Sequence, residues 1–485
     1  MDAQLIQRVM AIVERDLRRR ILPDLTSAGS RLQIDYMIRL LQWVAMQVGD
    51  FDTLDAAHRT ALESLLASGD VACLPAPPAA FYEAEPVPPV AAQLRRLAAS
   101  SLACPSAFDR YVDMETTLVR ALDAQGGSGF GDVYQGGKLA AAQDKAPPAC
   151  DAATLSAYLK TRFAAPDAAA TDVAPLPGGF GKDTVLFTIH GCGAMDGAAV
   201  IRKDFAVSAG PLPVTREFPL LSALHRLGFP VAQPLWAEPD DTVIGGPFIV
   251  SRRVAGTSAA SDWQDSPDLR RHFVDQFARL LAQLHTLTPA TLLGHGDMGM
   301  RTAVQDHMKL YYDHYRARAR SVSGRLEASF AWLAANMPAT DDVAARLVHG
   351  DVGFHNILMH EGRIDALLDW EFAHFGDPAE DIGYCWQFID KLVTWDMFMA
   401  MYASHGGAPI SYRRASYYRV WGDVRNAVMG VGALGTVDLS EEADIRSPSS
   451  ALAFGPLLEI QALAGAAQWN RLDEDFAVAA REHVA

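Results

Sequence analysis

Residues 347–383, LVHGDVGFHNILMHEGRIDALLDWEFAHFGDPAEDIG, constrain this chain more tightly than any other stretch. His349-Gly350-Asp351 is followed five residues later by Asn356, and Asp369 then closes an apolar run, Ile364–Leu368. The pattern predicts a strand–turn–strand over Asn356–Asp369, turned by Glu361-Gly362. Such a hairpin fixes a carboxylate, an amide and a second carboxylate at the ends of short rigid elements. That set suits phosphoryl transfer from a magnesium nucleotide. One carboxylate accepts or orients the proton of an attacking hydroxyl, and the other two groups offer hard oxygen ligands to Mg²⁺.

The rest of the composition bounds the context. The chain has 485 residues, half of them apolar, which is enough for large cores in two or three domains and excludes wholesale disorder. A formal net charge of −16 argues against nucleic acid, and against an anionic membrane surface, as the main partner. Five dispersed cysteines (Cys73, Cys104, Cys150, Cys192, Cys385), with no CxxC and no Cys/His cluster, read as reduced thiols rather than a zinc site or a disulfide framework. Glu14, Arg15 and Asp16 interrupt any N-terminal apolar core, and no apolar run reaches the ~18 residues of a spanning helix. A soluble, cytoplasmic protein is expected.

Along the chain, Leu5, Val9, Ile12 and Val13 share one helical face, as do Ile34, Ile38, Leu41, Ala45 and Val48. A Pro-rich stretch, Pro75 to Pro89, separates them from a further helical pattern around Asp109 to Leu122. Residues 1–125 are expected to form a helical accessory domain, a natural surface for a homodimer, and 126–150 a Gly/Ala/Pro-rich linker. A helical pattern (Leu155, Tyr158, Leu159) then gives way to strands at Asp183–His190, Ala198–Lys203 and Phe248–Arg252, with a helix from Thr215 to Leu227 between the last two. Beyond these, Phe273, Phe277, Leu280, Leu281 and Leu284 form one face of a long helix. The fold class predicted is α+β and bilobal, with a strand-rich lobe over 151–255 and a helix-rich lobe over 256–485. The cleft between lobes is the natural ligand site.

HGDxxxxN followed by LDWE and GDPxxDIG resembles the aminoglycoside phosphotransferase and choline-kinase-like family of small-molecule kinases, from about Asp151 to the C-terminus. The form LDWExAHFGDPxEDIG is most similar to kinase domains related to those fused to acyl-CoA dehydrogenases. The resemblance implies a protein-kinase-like fold that uses ATP and Mg²⁺. It assigns Asp351 as catalytic base and Asn356 and Asp369 as Mg²⁺ ligands. It also makes His349 a brace of the catalytic loop, and Asp381 a buried carboxylate supporting it. The hairpin Leu176–Thr184 would cover the nucleotide phosphates with Gly178, Gly179 and Gly181, whose missing side chains allow close backbone approach. Lys182-Asp183 stands there where the family commonly has Ser-Asn. In the following strand a basic residue should neutralise phosphate, and alternation favours Arg202 over Lys203. Glu217 would pair with that cation, tolerating Pro219 only if the helix starts close by. Gly246–Arg253 matches the strand and hinge, bringing Ser251 and Arg253 to the nucleotide. Arg202, Lys203, Arg252 and Arg253 are expected to make the cleft a positive island.

Two similar-looking motifs are set aside. His295-Gly296-Asp297 repeats the triplet, but Thr302 stands where Asn is needed. Gly126 to Tyr134 imitates a glycine-rich loop, but the residues after it have no strand pattern to present a cation. His355 and His360 are expected to face solvent or pack loops. The segment between Asp369 and Asp381 is too short for a long activation loop, which disfavours a protein substrate. The expected acceptor is a small-molecule hydroxyl. The resemblance implies a hydroxyacyl-CoA or related catabolic intermediate; an aminoglycoside or amino alcohol is the alternative, and a pseudokinase scaffold the rival. Tyr384, Trp386, Phe388, Trp395, Tyr417, Tyr418 and Trp421 would supply the acceptor pocket and its surrounding core.

Overall fold

A computed structural model describes Leu17 and residues 51–75, 87–126, 150–176, 182–205, 208–258, 266–319, 321–340, 343–436 and 446–472. The helices expected around Leu5 and Ile34, linker residues 127–149 and the glycines Gly178, Gly179 and Gly181 lie outside the described residues.

The described N-terminal helices are α1 (Phe51–Leu66), the short α2 (Gly69–Ala72), α3 (Pro89–Ala99) and α4 (Pro105–Gly126). In α3, Pro89 occupies the first helical position, where its missing N–H costs nothing. The spacing of Ala91, Leu94, Leu97 and Ala98 puts them on one buried face.

The strand-rich lobe begins with α5 (Ala152–Phe163), started by Asp151, whose side chain accepts the Thr154 N–H at 2.7 Å. Next come β1 (Ala169–Leu176), β2 (Lys182–His190), β3 (Gly197–Asp204), α6 (Glu217–Arg226), β4 (Pro234–Glu238) and β5 (Phe248–Arg252). The five strands pair antiparallel in the order β1-β2-β3-β5-β4. Strand alternation decides the faces. Val185, Phe187 and Ile189 of β2 and Ala199 and Ile201 of β3 share a core with Leu155 and Leu159 of α5. Val200 and Arg202 thereby face the interlobe cleft.

The helix-rich lobe contains β6 (Thr257–Ser258), α7 (Pro267–Leu284), α8 (Pro289–Leu293), α9 (Met300–Arg318), α10 (Gly324–Ala335), β7 (Arg346–Val348), β8 (Ile357–His360), β9 (Arg363–Leu367), β10 (His374–Gly376), α11 (Ala379–Ile389), α12 (Trp395–Ser404), α13 (Tyr412–Thr436) and α14 (Arg446–Trp469). β8 and β9 form the expected hairpin. Glu361 (φ 49°) and Gly362 (φ 75°) both take positive φ, as a two-residue turn matched to strand twist requires. Strands β7 and β10 pair, with His374 opposite Val348, and so bring the two ends of the 349–373 segment together.

The N-terminal helices join this lobe. Leu94, Leu97, Phe108 and Tyr111 belong to the same buried core as Leu326, Phe330 and Trp332 of α10. Gly324 lets α3 approach, since a Cβ there would lie 2.8 Å from Leu94 Cδ1. Arg95 Nε donates to Glu327 at 2.7 Å, and Arg325 Nη1 to Glu115 of α4 at 2.8 Å. The apolar face of α3 is therefore engaged within the chain. Among the described residues, no helix is long and apolar enough to cross a membrane.

Candidate active site

The loop carrying the HGD motif is built between β7 and β8. Gly350 has φ +82°, and a Cβ there would come within 2.9 Å of Phe372 and Arg425, so the HGD motif needs glycine at its centre. His349 is buried, its Nδ1 accepts the Asp351 N–H at 3.1 Å, and its Nε2 faces the Leu368 carbonyl at 2.9 Å. A carbonyl only accepts, so Nε2 carries the proton and the ring is neutral. Burial holds its pKa below the usual value, against the pull of Asp381 and Asp351. The imidazole thus ties the loop to the end of β9. Asp381, wholly buried in α11, accepts the N–H groups of His349 at 2.9 Å and Gly350 at 2.7 Å. Gly383, in the same motif, admits α13: a Cβ would lie 2.1 Å from the Ala415 carbonyl.

Asp351 and Asn356 are brought together. Asn356 Nδ2 donates to the Asp351 carboxylate and to its backbone carbonyl, both at 2.9 Å. Both bonds use the amide nitrogen, which leaves Oδ1, the atom a hard cation takes. Burial pushes Asp351 upward, but hydrogen bonds from His355 and Tyr384 and the Arg425 charge outweigh it, holding the carboxyl well below its ordinary range. His355 was expected to face solvent or pack loops. Although more than half exposed, it reaches Asp351, with Nε2 3.7 Å from the carboxylate. His360 is exposed.

Asp369 sits just past β9 in the left-handed region, φ 64° and ψ 68°. That backbone cost is tolerated at functional positions where the surroundings over-determine it. Arg202 faces it across the cleft: Nη2 donates to Asp369 Oδ1 at 2.6 Å, and Nη1 to Glu217 Oε2 at 3.1 Å. The helix α6 begins at Glu217, so Pro219 falls in its first turn, where proline is tolerated. Burial, reinforced by Asp369 and Glu371 and opposed by Arg202 and Lys182, pushes Glu217 up to about 7. Burial also raises Asp369, but the Arg202 and Lys182 charges prevail and lower it. An oxygen-rich trio of Asn356, Asp369 and the nearby Asp351 fits Mg²⁺.

The expected positive island is corrected. Lys203 points to the other sheet face and pairs with Asp183 at 3.2 Å. Arg252 caps a turn through the carbonyls of Ala194, Met195 and Asp196 at 2.7–2.9 Å. Arg202 is matched by two carboxylates. Ser251 and Arg253 do line the cleft, and the Arg253 backbone N–H donates to the Ala198 carbonyl at 3.1 Å.

A single cavity of about 1480 Å³ runs from the sheet to the C-terminal helices. Its sheet side carries Leu186, Val200, Ile249 and Leu358; its far side carries Tyr384, Trp386, Phe388, Trp395, Arg419 and Asp423. Trp421, Tyr417 and Tyr418 are buried core instead. His295-Gly296-Asp297 lies on an exposed loop after α8, away from this cavity.

Sequence reasoning passed over two groups. Lys182 bonds Glu371, and its Nζ lies 3.7 Å from Glu217. Its departure from the family pattern was the available signal. Arg425 of α13, wholly buried behind the loop, pairs with Glu380 at 3.3 Å and lies 4.2 Å over the Phe372 ring. A lone arginine in a long helix carries no signal of this.

Acyl-CoA dehydrogenase family member 11 of Gallus gallus is 35% identical over 204 residues, covering 39% of this chain and 25% of that protein. The Homo sapiens protein of that name is 29% identical over 214 residues, covering 42% and 27%. The chain thus spans about a quarter of the length of these relatives. Viomycin phosphotransferase of Streptomyces vinaceus is 28% identical over 172 residues, covering 32% of this chain and 55% of that protein. Among solved structures, a type I macrolide 2′-phosphotransferase aligns with TM-score 0.42 and 18% identity, covering 62% of this chain and 95% of its own. The profile described as the phosphotransferase enzyme family matches residues 172–418, more than half of the sequence, and with HGDxxxxN and the Asp369 strand inside that span the chain belongs to this family of phosphotransferases.

Proposed function

We propose that the protein transfers the γ-phosphate of ATP, with Mg²⁺, to a hydroxyl of a small molecule. The observation that carries this reading is the convergence of Asp351, Asn356 and Asp369 on one cleft wall, facing Arg202 and Glu217. Mg²⁺ held by Asn356 and Asp369 would neutralise phosphate charge. Asp351, kept ionised, accepts a hydrogen bond from the acceptor hydroxyl and takes its proton as the oxygen attacks phosphorus and ADP leaves. The apolar sheet face, with Val200 and Ile249, suits an adenine.

For the acceptor, an amine-bearing alcohol, whether amino alcohol or aminoglycoside, is the better-supported class. Asp351 and Asp423 line the cavity together with the rings of Tyr384, Trp386 and Phe388, a setting for an ammonium group beside its hydroxyl. Three of the four cations expected to attract an acyl-CoA are engaged elsewhere or matched by carboxylates. The relationship to viomycin phosphotransferase supports the same reading. A hydroxyacyl-CoA is the second reading, favoured by the apolar wall of Val420, Leu458 and Leu472 and by the acyl-CoA dehydrogenase relatives.

Binding is the first test. Mg-ATP at about 100 times its Kd should stabilise the fold by about 2.7 kcal/mol, read as a rise in Tm. The absence of a shift with any Mg-nucleotide would overturn the proposal. ADP release across amino alcohols, aminoglycosides and hydroxyacyl-CoAs then ranks the acceptors. Asp369→Ala should weaken Mg-ATP binding roughly tenfold or more by titration, since a metal ligand is lost. Unchanged affinity would remove Asp369 from the metal site.

A further inference from the structure

Four carboxylates crowd the nucleotide end of the cleft: Asp351, Asp369 and Glu371 in its wall, and Glu217 behind Arg202. Arg202 holds two of them, Glu217 and Asp369. An incoming triphosphate is itself an anion, so a single arginine already engaged by two acids is a weak attractor for it. The second cation is Lys182. It stands at the first position of β2, and its ammonium lines the cavity against Glu371 and Glu217. Its side chain is only 9% exposed, and a lysine buried that deeply requires anionic company. Burial lowers its pKa, but Glu371 and Glu217 outweigh burial and raise it, so the charge is permanent at neutral pH. The backbone register places Lys182 opposite Asp204, two residues beyond Arg202, which pairs with Thr184. Lys182 and Arg202 therefore reach the same face from neighbouring strands, because positions two residues apart share a face.

Resting on the kinase reading above, we propose that Lys182 is a second phosphate-binding cation, held on Glu371 and handed to the nucleotide's phosphates on binding. The exchange is between partners of one sign: phosphate oxygens replace the Glu371 carboxylate around an ammonium that has three rotatable donors. No backbone movement is needed, since the flexible lysine stem swings while Arg202 stays braced between Glu217 and Asp369. The division of labour follows from side-chain form. Arg202's fixed planar fork spans two carboxylates and sets geometry, and Lys182 supplies a mobile point charge.

The test compares ligands that differ only in phosphate. Mg-ATP, Mg-ADP and adenosine are titrated against the wild type, Lys182→Ala and Lys182→Arg, with binding read by calorimetry and, for adenosine, by ligand-observed NMR. Lys182→Ala is expected to weaken ATP and ADP about tenfold or more while adenosine binds as before. Lys182→Arg should recover most of the loss. Equal weakening of all three ligands would show Lys182 to be a structural strut and overturn the proposal, and so would unchanged ATP affinity. If the wild type binds no Mg-nucleotide, the kinase reading itself fails; if the wild type binds and only the variant comparison fails, that reading stands and Lys182 alone loses its role.

Discussion

Asp351→Asn is expected to lower kcat by about 10²–10⁴ on any confirmed acceptor while Mg-ATP binds within about twofold of the wild type. The contrast follows from where Asp351 is attached. Its side chain accepts from Asn356 and is approached by His355, contacts that an isosteric amide largely preserves, so the loop keeps its shape. Arg202, proposed to meet the nucleotide, bonds Glu217 and Asp369 rather than Asp351. What the amide cannot do is accept the hydroxyl proton as the new P–O bond forms. Asp351 is held ionised despite burial, because donors from His355 and Tyr384 and the Arg425 charge surround it. Such a group accepts the hydroxyl's hydrogen bond but is a weak proton sink, which suits a loose transition state in which the hydroxyl loses its proton late. Turnover equal to the wild type in the Asn variant would remove Asp351 from the reaction. A matching loss of Mg-ATP affinity would instead make it part of the nucleotide site.

The parts of this site legible in sequence are those carried by contiguous spacing. HGDxxxxN and the Ile364–Leu368 run place base, amide and second carboxylate within one loop and one hairpin, so chain connectivity does most of the positioning. Arg202 was legible because strand alternation decides which of two adjacent cations enters the cleft. The limits are as specific. β1 went unseen because its sequence, AATDVAPL, lacks alternation and breaks its register between Thr171 and Ala174. The positive island failed because charge was counted without partners: Lys203 has Asp183, and Arg252 has three carbonyls. Arg425 and Glu371 act through tertiary contacts to residues far away in sequence, which no local pattern encodes. The N-terminal helices show the same limit. The helix α3 was not anticipated from the sequence, and only the three-dimensional fit of Leu94 over Gly324 says that α10 covers its apolar face.

Asp381→Ala should be the most destabilising single change among the loop's supporting residues, costing about 3–5 kcal/mol in urea unfolding. Asp381 has no exposure at all, yet it carries three bonds: from the His349 and Gly350 N–H groups and from His285 Nε2 at 3.1 Å. The His285 ring is oriented for this by Tyr402, whose hydroxyl lies 2.7 Å from Nδ1. Alanine would leave two backbone donors and an imidazole N–H buried without acceptors, each at the full cost of desolvation, and would open space beneath the loop. The pH dependence follows with a definite sign. Burial raises the Asp381 pKa, but the hydrogen bond and charge of His285, with the His349 contacts, outweigh it and depress it in the folded state. A depressed carboxylate contributes stability that is fully present above its unfolded value of about 3.9, and that is lost as pH falls through the folded value. Wild-type stability should therefore fall with acid more steeply than that of the alanine variant below about pH 4. Because the same two N–H bonds hold Asp351 at its place, the variant should lose turnover even where it is folded. Asp351→Asn, in contrast, should lower the urea midpoint less than Asp381→Ala does. An Asp381→Ala protein with both an unshifted midpoint and intact turnover would mean that the buried carboxylate does not support the catalytic loop.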